Sequence, residues 1–265
     1  MSAPGGRAGS LQRAGAVTAW HARSYRRVWR ATIATALLNP VFFLLSIGLL
    51  LGKLVDAGQA DLGGLTYLEF VAPGLLAATA MQVGTSDATY PVMAGVKWLR
   101  TYHAIVATPV GILELVLGTV AFAALRIAVA SVIFVAIAAI GGAFGSPWVA
   151  LAPLAALLCG LAFMTPIAAF CATLEDDSGI PALMRFGITP MFLFAGTFFP
   201  VEQLPDQLEW LAWVTPLWHG VTLCRDLATG SVEALAAAGH VAYLLAFILG
   251  GTIAATFVFR RRLLT

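Results

Sequence analysis

Charge is what this sequence has least of. Only 11% of its 265 residues are Asp, Glu, Lys or Arg, where a soluble domain carries about 25%. With 60% hydrophobic residues, it has long uncharged runs that only lipid or one another can solvate, which excludes a soluble domain of any size. Lysine is scarcer still. The two present stand in Gly52-Lys53-Leu54 and Val96-Lys97-Trp98, so no GxxxxGK[ST] loop exists to cradle ATP phosphates. No cofactor is expected in this chain. Cysteine is sparse as well: Cys159, Cys171 and Cys224 fall in apolar runs without paired spacing, as small core residues do, and no metal ligand set stands near them.

Catalytic signatures are missing too. A serine intramembrane protease needs a nucleophile facing a base, and Gly145-Ser146 lies in a loop without a GxSxG elbow, with nothing to place His219 or His240 beside a serine. The aspartyl form needs two intramembrane Asp residues, and the expected spans hold no such pair. No enzyme is expected, nor a nucleic-acid partner; the net charge of +2 by itself says little.

What is present is a run of membrane segments. Residues 1–10 are small and Gly-rich and read as a disordered tail. Residues 11–30 read as an amphipathic interfacial helix: Leu11, Ala14, Val17, Thr18, His21, Tyr25, Val28 and Trp29 share one face, and Arg13, Arg23, Arg26, Arg27 and Arg30 the other, toward anionic headgroups. A solvated basic tail that only sets topology is the alternative. The first long apolar run starts at Ala31, behind six arginines, and is too long for the h-region of a cleavable signal peptide.

The remainder, 31–265, reads as one all-α integral membrane domain of six transmembrane helices. The first is 31–52, uncharged throughout, with Asn39 and Pro40 marking a kink and a protein-facing side. The second, 70–88, is rich in small residues that suit close helix packing. A segment at 91–103, with Lys97, Trp98, Arg100 and His103, is long enough for a short helix across the membrane surface. The third is 104–140, the fourth 149–174, the fifth 183–200 and the sixth 241–259, which ends in Arg260, Arg261 and Arg262.

Between the last two lies a puzzle. The run Trp210 to Cys224 is shorter than the roughly 20 residues a spanning helix needs. Pro200, Pro205, Glu202, Asp206 and Glu209 precede it. Reading 201–224 as a re-entrant hairpin puts 12 of the 15 Lys and Arg on the cytoplasmic side, as the positive-inside rule asks. A full span there would put the terminal arginines outside. Both termini are therefore expected in the cytoplasm of a multi-pass protein of the cell (inner or plasma) membrane.

Four polar residues inside the spans, Asn39, Gln82, Glu114 and Arg126, are candidates for a pathway. Arg126 falls near the middle of the third helix, where an unpaired charge costs several kcal/mol. Glu114 is 12 residues away, about 18 Å along the axis, so each needs another partner. A polar lining that meets an anionic or polyhydroxy substrate and a helix-to-helix or subunit pairing fit Arg126 equally. Glu175, Asp176 and Asp177 read as a solvated loop, and His219 as a hydrogen-bonded anchor.

The order of elements resembles the ABC-2 type exporter permeases, in the branch of the nodulation-factor exporter subunit NodJ and the daunorubicin-resistance permeases. The resemblance is strongest in Thr189-Pro190-Met191-Phe192-Leu193-Phe194-Ala195-Gly196-Thr197-Phe198-Phe199-Pro200, then Leu204-Pro205, Thr215-Pro216-Leu217, His219 and Arg225. Tyr67-Leu68-Glu69-Phe70-Val71-Ala72-Pro73-Gly74 and Ala107-Thr108-Pro109 with Glu114-Leu115-Val116-Leu117-Gly118 carry it at two further places.

The resemblance implies that 11–30 is the family's interfacial helix, that 91–103 is the coupling segment docking on a separate P-loop ATPase, and that 197–224 is an extracellular hairpin of short helices. It implies two ATPase copies holding ATP and Mg, a second permease chain forming a homodimer, and outward movement of a lipo-oligosaccharide, lipid-linked glycan or amphipathic drug. A non-transporting scaffold or receptor subunit, or an ATP-independent transporter, is the alternative.

Overall fold

The computed structural model describes residues 7–26, 64–203 and 205–264, together with Phe42, Leu44 and Ser46. Most of the expected first span, including Asn39, lies outside the described residues, as do Arg27 and Arg30. Every element among the described residues is helical. Among the described residues, three helices are long and apolar enough to cross a membrane: Ile112–Ile140, Pro147–Thr173 and Ala234–Leu263.

The first element, α1 (Arg7–Tyr25), begins inside the stretch expected to be disordered. Packing explains this. Val17 is buried, and Ala14 and Val17 lie directly against Gly118 of a later helix. The central helix, α2 (Tyr67–Ala88), starts before the expected boundary because Thr66 and Glu69 form a reciprocal capping box, which draws Glu69 from the loop into the first turn. Sixteen of its 22 residues are buried. That accounts for a segment too poor in large apolar residues to satisfy lipid by itself.

Two short helices follow, α3 (Tyr90–Met93), prolonged by a π turn over Ala94–Trp98, and α4 (Thr101–Val106). The third span is thus not one helix from residue 104. Pro109 lacks the N–H that would continue α4, and α5 (Ile112–Ile140) starts afresh from Gly111. Ser146 caps a 3-10 turn over Pro147–Leu151, accepting from the Trp148 N–H, and the chain then enters α6 (Ala152–Thr173).

The fifth element is continuous from Gly179 to Phe194 as α7 (Gly179–Leu183), a π turn over Met184–Ile188 and α8 (Thr189–Phe194). It stops short of residue 200 at a left-handed Gly196. The turn Val201–Gln203 and α9 (Asp206–Trp213, opened by Pro205) lead to α10 (Pro216–Thr229), which Thr215 caps and which runs past residue 224 to Gly230. The last helix, α11 (Ala234–Leu263), begins seven residues before the expected start.

Around α2 stand α5, α6 and α10, with α11 against α6 and α1 against α5. The α2–α6 crossing depends on missing side chains. A Cβ on Gly84 would lie 2.3 Å from the Gly160 carbonyl, and one on Gly160 2.7 Å from the Ala80 carbonyl. Glycine at both positions lets the backbones touch, the usual source of dispersion energy between helices in lipid. Gly230 packs beside Ser146, so the α10–α11 and α5–α6 turns share one end of the bundle. Lys97, Glu175 and Arg262 meet at the other.

Candidate functional site

The segment 91–103 turns back on itself. A π turn, then Arg100 in the left-handed region at φ 51°, reverses the chain between α3 and α4. The reversal is tight: a Cβ on Gly95 would sit 2.7 Å from the Tyr102 ring. Trp98, Leu99 and Arg100 are left exposed at the tip. Trp98 stacks on Tyr90 with centroids 6.3 Å apart, while Lys97 pairs with Glu175, which also binds Arg262 at 2.5 Å. These two cations hold the Glu175 carboxyl below its usual range, Lys97 contributing most. Two acidic residues of that loop thus divide: Glu175 clamps the tip to α11, and Asp176 accepts from the Ser178 N–H and hydroxyl.

Tyr102 anchors the tip in the bundle. It is fully buried, bonded to Thr119 of α5, with its ring 5.6 Å from Phe259 of α11 and 6.3 Å from His21 of α1. Burial pushes its phenol up to about 12. His21 Nε2 meets the same Thr119 hydroxyl at 3.2 Å and its ring stacks on Phe122, so burial lowers this imidazole to about 4 and keeps it neutral. His103, one residue beyond Tyr102, keeps a buried Nδ1 without a partner among the described residues. One buried phenol thus joins the exposed tip to three helices.

The two ions of α5 find separate partners. Glu114 accepts from Arg13 at 3.1 Å and from Ser10 at 3.0 Å, clasping α1 to α5. Arg13 accordingly leaves the basic face assigned to it for a charge-assisted hydrogen bond to the half-buried Glu114. Arg23 and Arg26 stay exposed. Arg126 binds Asp87 at the end of α2, under the Tyr25 ring at 4.9 Å. The side chains are 20% and 9% exposed, and Asp87 Oδ2 has no partner among the described residues. Asp87 escapes sequence reasoning because a lone carboxylate beside Thr89 and Tyr90 reads as the edge of a loop.

Gln82 faces a cavity of about 300 Å³ between α2 and the Gly179–Phe194 helix, together with Thr85, Ser86, Ile188 and Phe192. Thr85 is fully buried and its hydroxyl is unpartnered among the described residues.

At the opposite end, Pro200 precedes the Val201–Gln203 turn, Pro205 opens α9 and Pro216 opens α10. His219 Nδ1 lies 2.7 Å from His240 Nδ1, and its ring stacks on Tyr243 at 3.9 Å, tying α10 to α11. Arg225 donates to the Phe70 and Gly196 carbonyls and covers the Phe70 ring at 3.9 Å. It holds the Gly196 turn against the start of α2. Among the described residues no group of three His, Cys, Asp or Glu side chains is placed to hold a metal.

The polar groups described above tie helices to one another: α1 to α5, α2 to α5, α10 to α11, and the 91–103 tip to α11. The profile of the ABC-2 type transporter family matches residues 14–228. Nodulation protein J of Rhizobium meliloti is 31% identical over 245 residues, covering 91% of this chain and 90% of that protein. Nodulation protein J of Sinorhizobium fredii is 30% identical, covering 94% of each. The inner membrane transport permease YadH of Escherichia coli is 24% identical over 75% of each. With a match that runs from α1 to α10, the chain belongs to the ABC-2 type transporter family.

Proposed function

We propose that this chain is the membrane-spanning permease subunit of an ATP-driven exporter that moves an amphipathic substrate outward. Two copies of a separate P-loop ATPase, holding ATP and Mg, supply the energy, and two permease chains form a homodimer. The observation that carries this reading is the folded-back tip. Trp98, Leu99 and Arg100 offer an exposed apolar and cationic surface to a partner, while Tyr102 behind them reaches α1, α5 and α11. Closure of the ATPase pair displaces the tip, and Tyr102 passes that displacement to the helices it touches. ATP must bind one global state better than the other for this to work.

The charge distribution supports a cytoplasmic tip. Lys97, Arg100 and the Arg260–Arg262 triplet lie at one end of the bundle, which the positive-inside rule assigns to the cytoplasm. Residues 201–224 then form the outer hairpin, with Trp210 and Trp213 exposed at headgroup depth. The cavity beside Gln82 is the natural start of a substrate path. Lipo-oligosaccharides, lipid-linked glycans and amphipathic drugs are the substrate classes in view.

The test is affinity purification of the chain from its native membrane under conditions that preserve complexes. A stoichiometric P-loop ATPase should accompany it, and Arg100→Glu should lower that yield about tenfold without changing the melting temperature, since Arg100 is exposed. If no ATPase is present, or Arg100→Glu leaves the yield unchanged, the coupling assignment falls and a scaffold or ATP-independent transporter becomes the better account.

A further inference from the structure

The walls of the cavity beside Gln82 are polar without being charged. Gln82, Thr85 and Ser86 enter it from one face of α2, at the three- and four-residue spacing that stacks side chains along a helix, and Ile188, Thr189 and Phe192 stand opposite. Among the described residues that line it, none is Asp, Glu, Lys or Arg. The charges nearest in sequence lie elsewhere: Asp87 is bound to Arg126, and Arg185 is exposed outside the lining. The polar groups are uncommitted. No hydrogen bond engages the Gln82 amide or the Ser86 hydroxyl, and the Thr85 hydroxyl in the wall has no partner among the described residues. Thr189 donates its proton to the Met184 carbonyl at 2.8 Å, so it offers only lone pairs.

We propose that this cavity binds an uncharged, hydrogen-bonding headgroup, hydroxyl- or amide-bearing, and discriminates against phosphate and ammonium amphiphiles. A side-chain amide presents two N–H donors and a carbonyl acceptor, and a hydroxyl presents both kinds. Gln82 and Ser86 can therefore answer either polarity in a neutral partner, with Thr189 as a further acceptor. A phosphate brought here meets no guanidinium or ammonium, and the cost of stripping its water goes uncompensated. An ammonium meets no carboxylate, and the single Phe192 ring is a weak substitute for one. Ile188 and Phe192 cover the apolar atoms of the head. At about 300 Å³ the cavity is at the small end of ligand sites, with room for a headgroup while the tail stays in lipid. The inference rests on reading this cavity as part of the substrate path proposed above, and it narrows that path to substrates with a neutral head.

The experiment is a photolabelling competition on the full chain, with any co-purifying ATPase, in phosphatidylcholine nanodiscs and without ATP. A diazirine-bearing dodecyl glucoside at submicellar concentration is the probe, and peptide mass spectrometry reads its attachment to residues 81–86 and 184–192. Unlabelled dodecyl glucoside or N-dodecanoylglycinamide should displace it, and the better competitor identifies hydroxyl or amide as the preferred head. Dodecyl phosphate and dodecyltrimethylammonium should not displace it. Gln82→Leu should lower the labelling about tenfold, the loss of one or two hydrogen bonds. Gln82→Glu, which keeps the shape, should turn the preference toward dodecyltrimethylammonium and serves if the leucine variant does not fold. Equal displacement by all four amphiphiles, or unchanged labelling in Gln82→Leu, would overturn the headgroup assignment. The exporter reading stands or falls separately: the predicted preference in a chain that brings down no ATPase would keep the site and remove the exporter.

Discussion

Replacing Arg126 by methionine separates the two roles open to it. In the native bundle its guanidinium neutralises Asp87, whose side chain is only 9% exposed and whose second oxygen has no partner among the described residues. Arg126→Met fills most of the volume but leaves that carboxylate uncompensated, a loss of about 3–5 kcal/mol for a buried pair broken on one side. At about 2–4 °C per kcal/mol for a chain of this size, the melting temperature should fall by about 6–20 °C. Asp87→Leu combined with Arg126→Met removes both charges and should melt within a few degrees of wild type, because a buried ion pair replaced by apolar residues is close to neutral. Thermal unfolding of the purified chain in detergent gives the first reading, and ATP-dependent transport in proteoliposomes with the ATPase gives the second. Recovery of both stability and transport in the double variant assigns the pair to holding α2 against α5. Recovery of stability alone places Arg126 on the substrate path. A single variant that melts with wild type would refute the reasoning, since Asp87 would then not be desolvated.

Two further outcomes test the packing and the neutral histidine. Gly84→Ala forces a methyl to within 2.3 Å of the Gly160 carbonyl and should destabilise the bundle by about 1–3 kcal/mol. Gly15→Ala on α1, where the added carbon meets nothing within 4 Å, should instead stabilise its helix by up to about 1 kcal/mol; melting curves of the two variants that shift alike would contradict the packing. His21 is held neutral, with a folded value of about 4 against an ordinary 6.5. The unfolded or undocked state therefore binds more protons between those values, and stability is lost as pH falls from 6.5 toward 4, by about 1.4 kcal/mol per unit. Hydrogen exchange in α1 should rise over that window, after correction for intrinsic rates, and His21→Gln should abolish the rise. The same acid response in His21→Gln would remove His21 as its cause.

The membrane class, the absence of a nucleotide loop and the family resemblance were all legible in the sequence, because they depend on composition and on local spacing. Long uncharged runs admit only lipid as solvent, and Pro109, Pro205 and Pro216 punctuate helices wherever they stand. Helix limits were less so. Glu69 entered α2 through a cap three residues away, and α10 ran on to Thr229 because its inner face packs on α2 and α6.

Partners belonged to the tertiary structure alone. Nothing in the chain's order assigns Arg13 to Glu114, Asp87 to Arg126, or Lys97 and Arg262 to a shared Glu175, since the members of each pair are 39 to 101 residues apart. Hydropathy along a sequence says which segments leave water. Which ion neutralises which is decided only when helices pack, because an unpaired charge in the bundle is costly and the nearest opposite charge in space, not in sequence, offsets it.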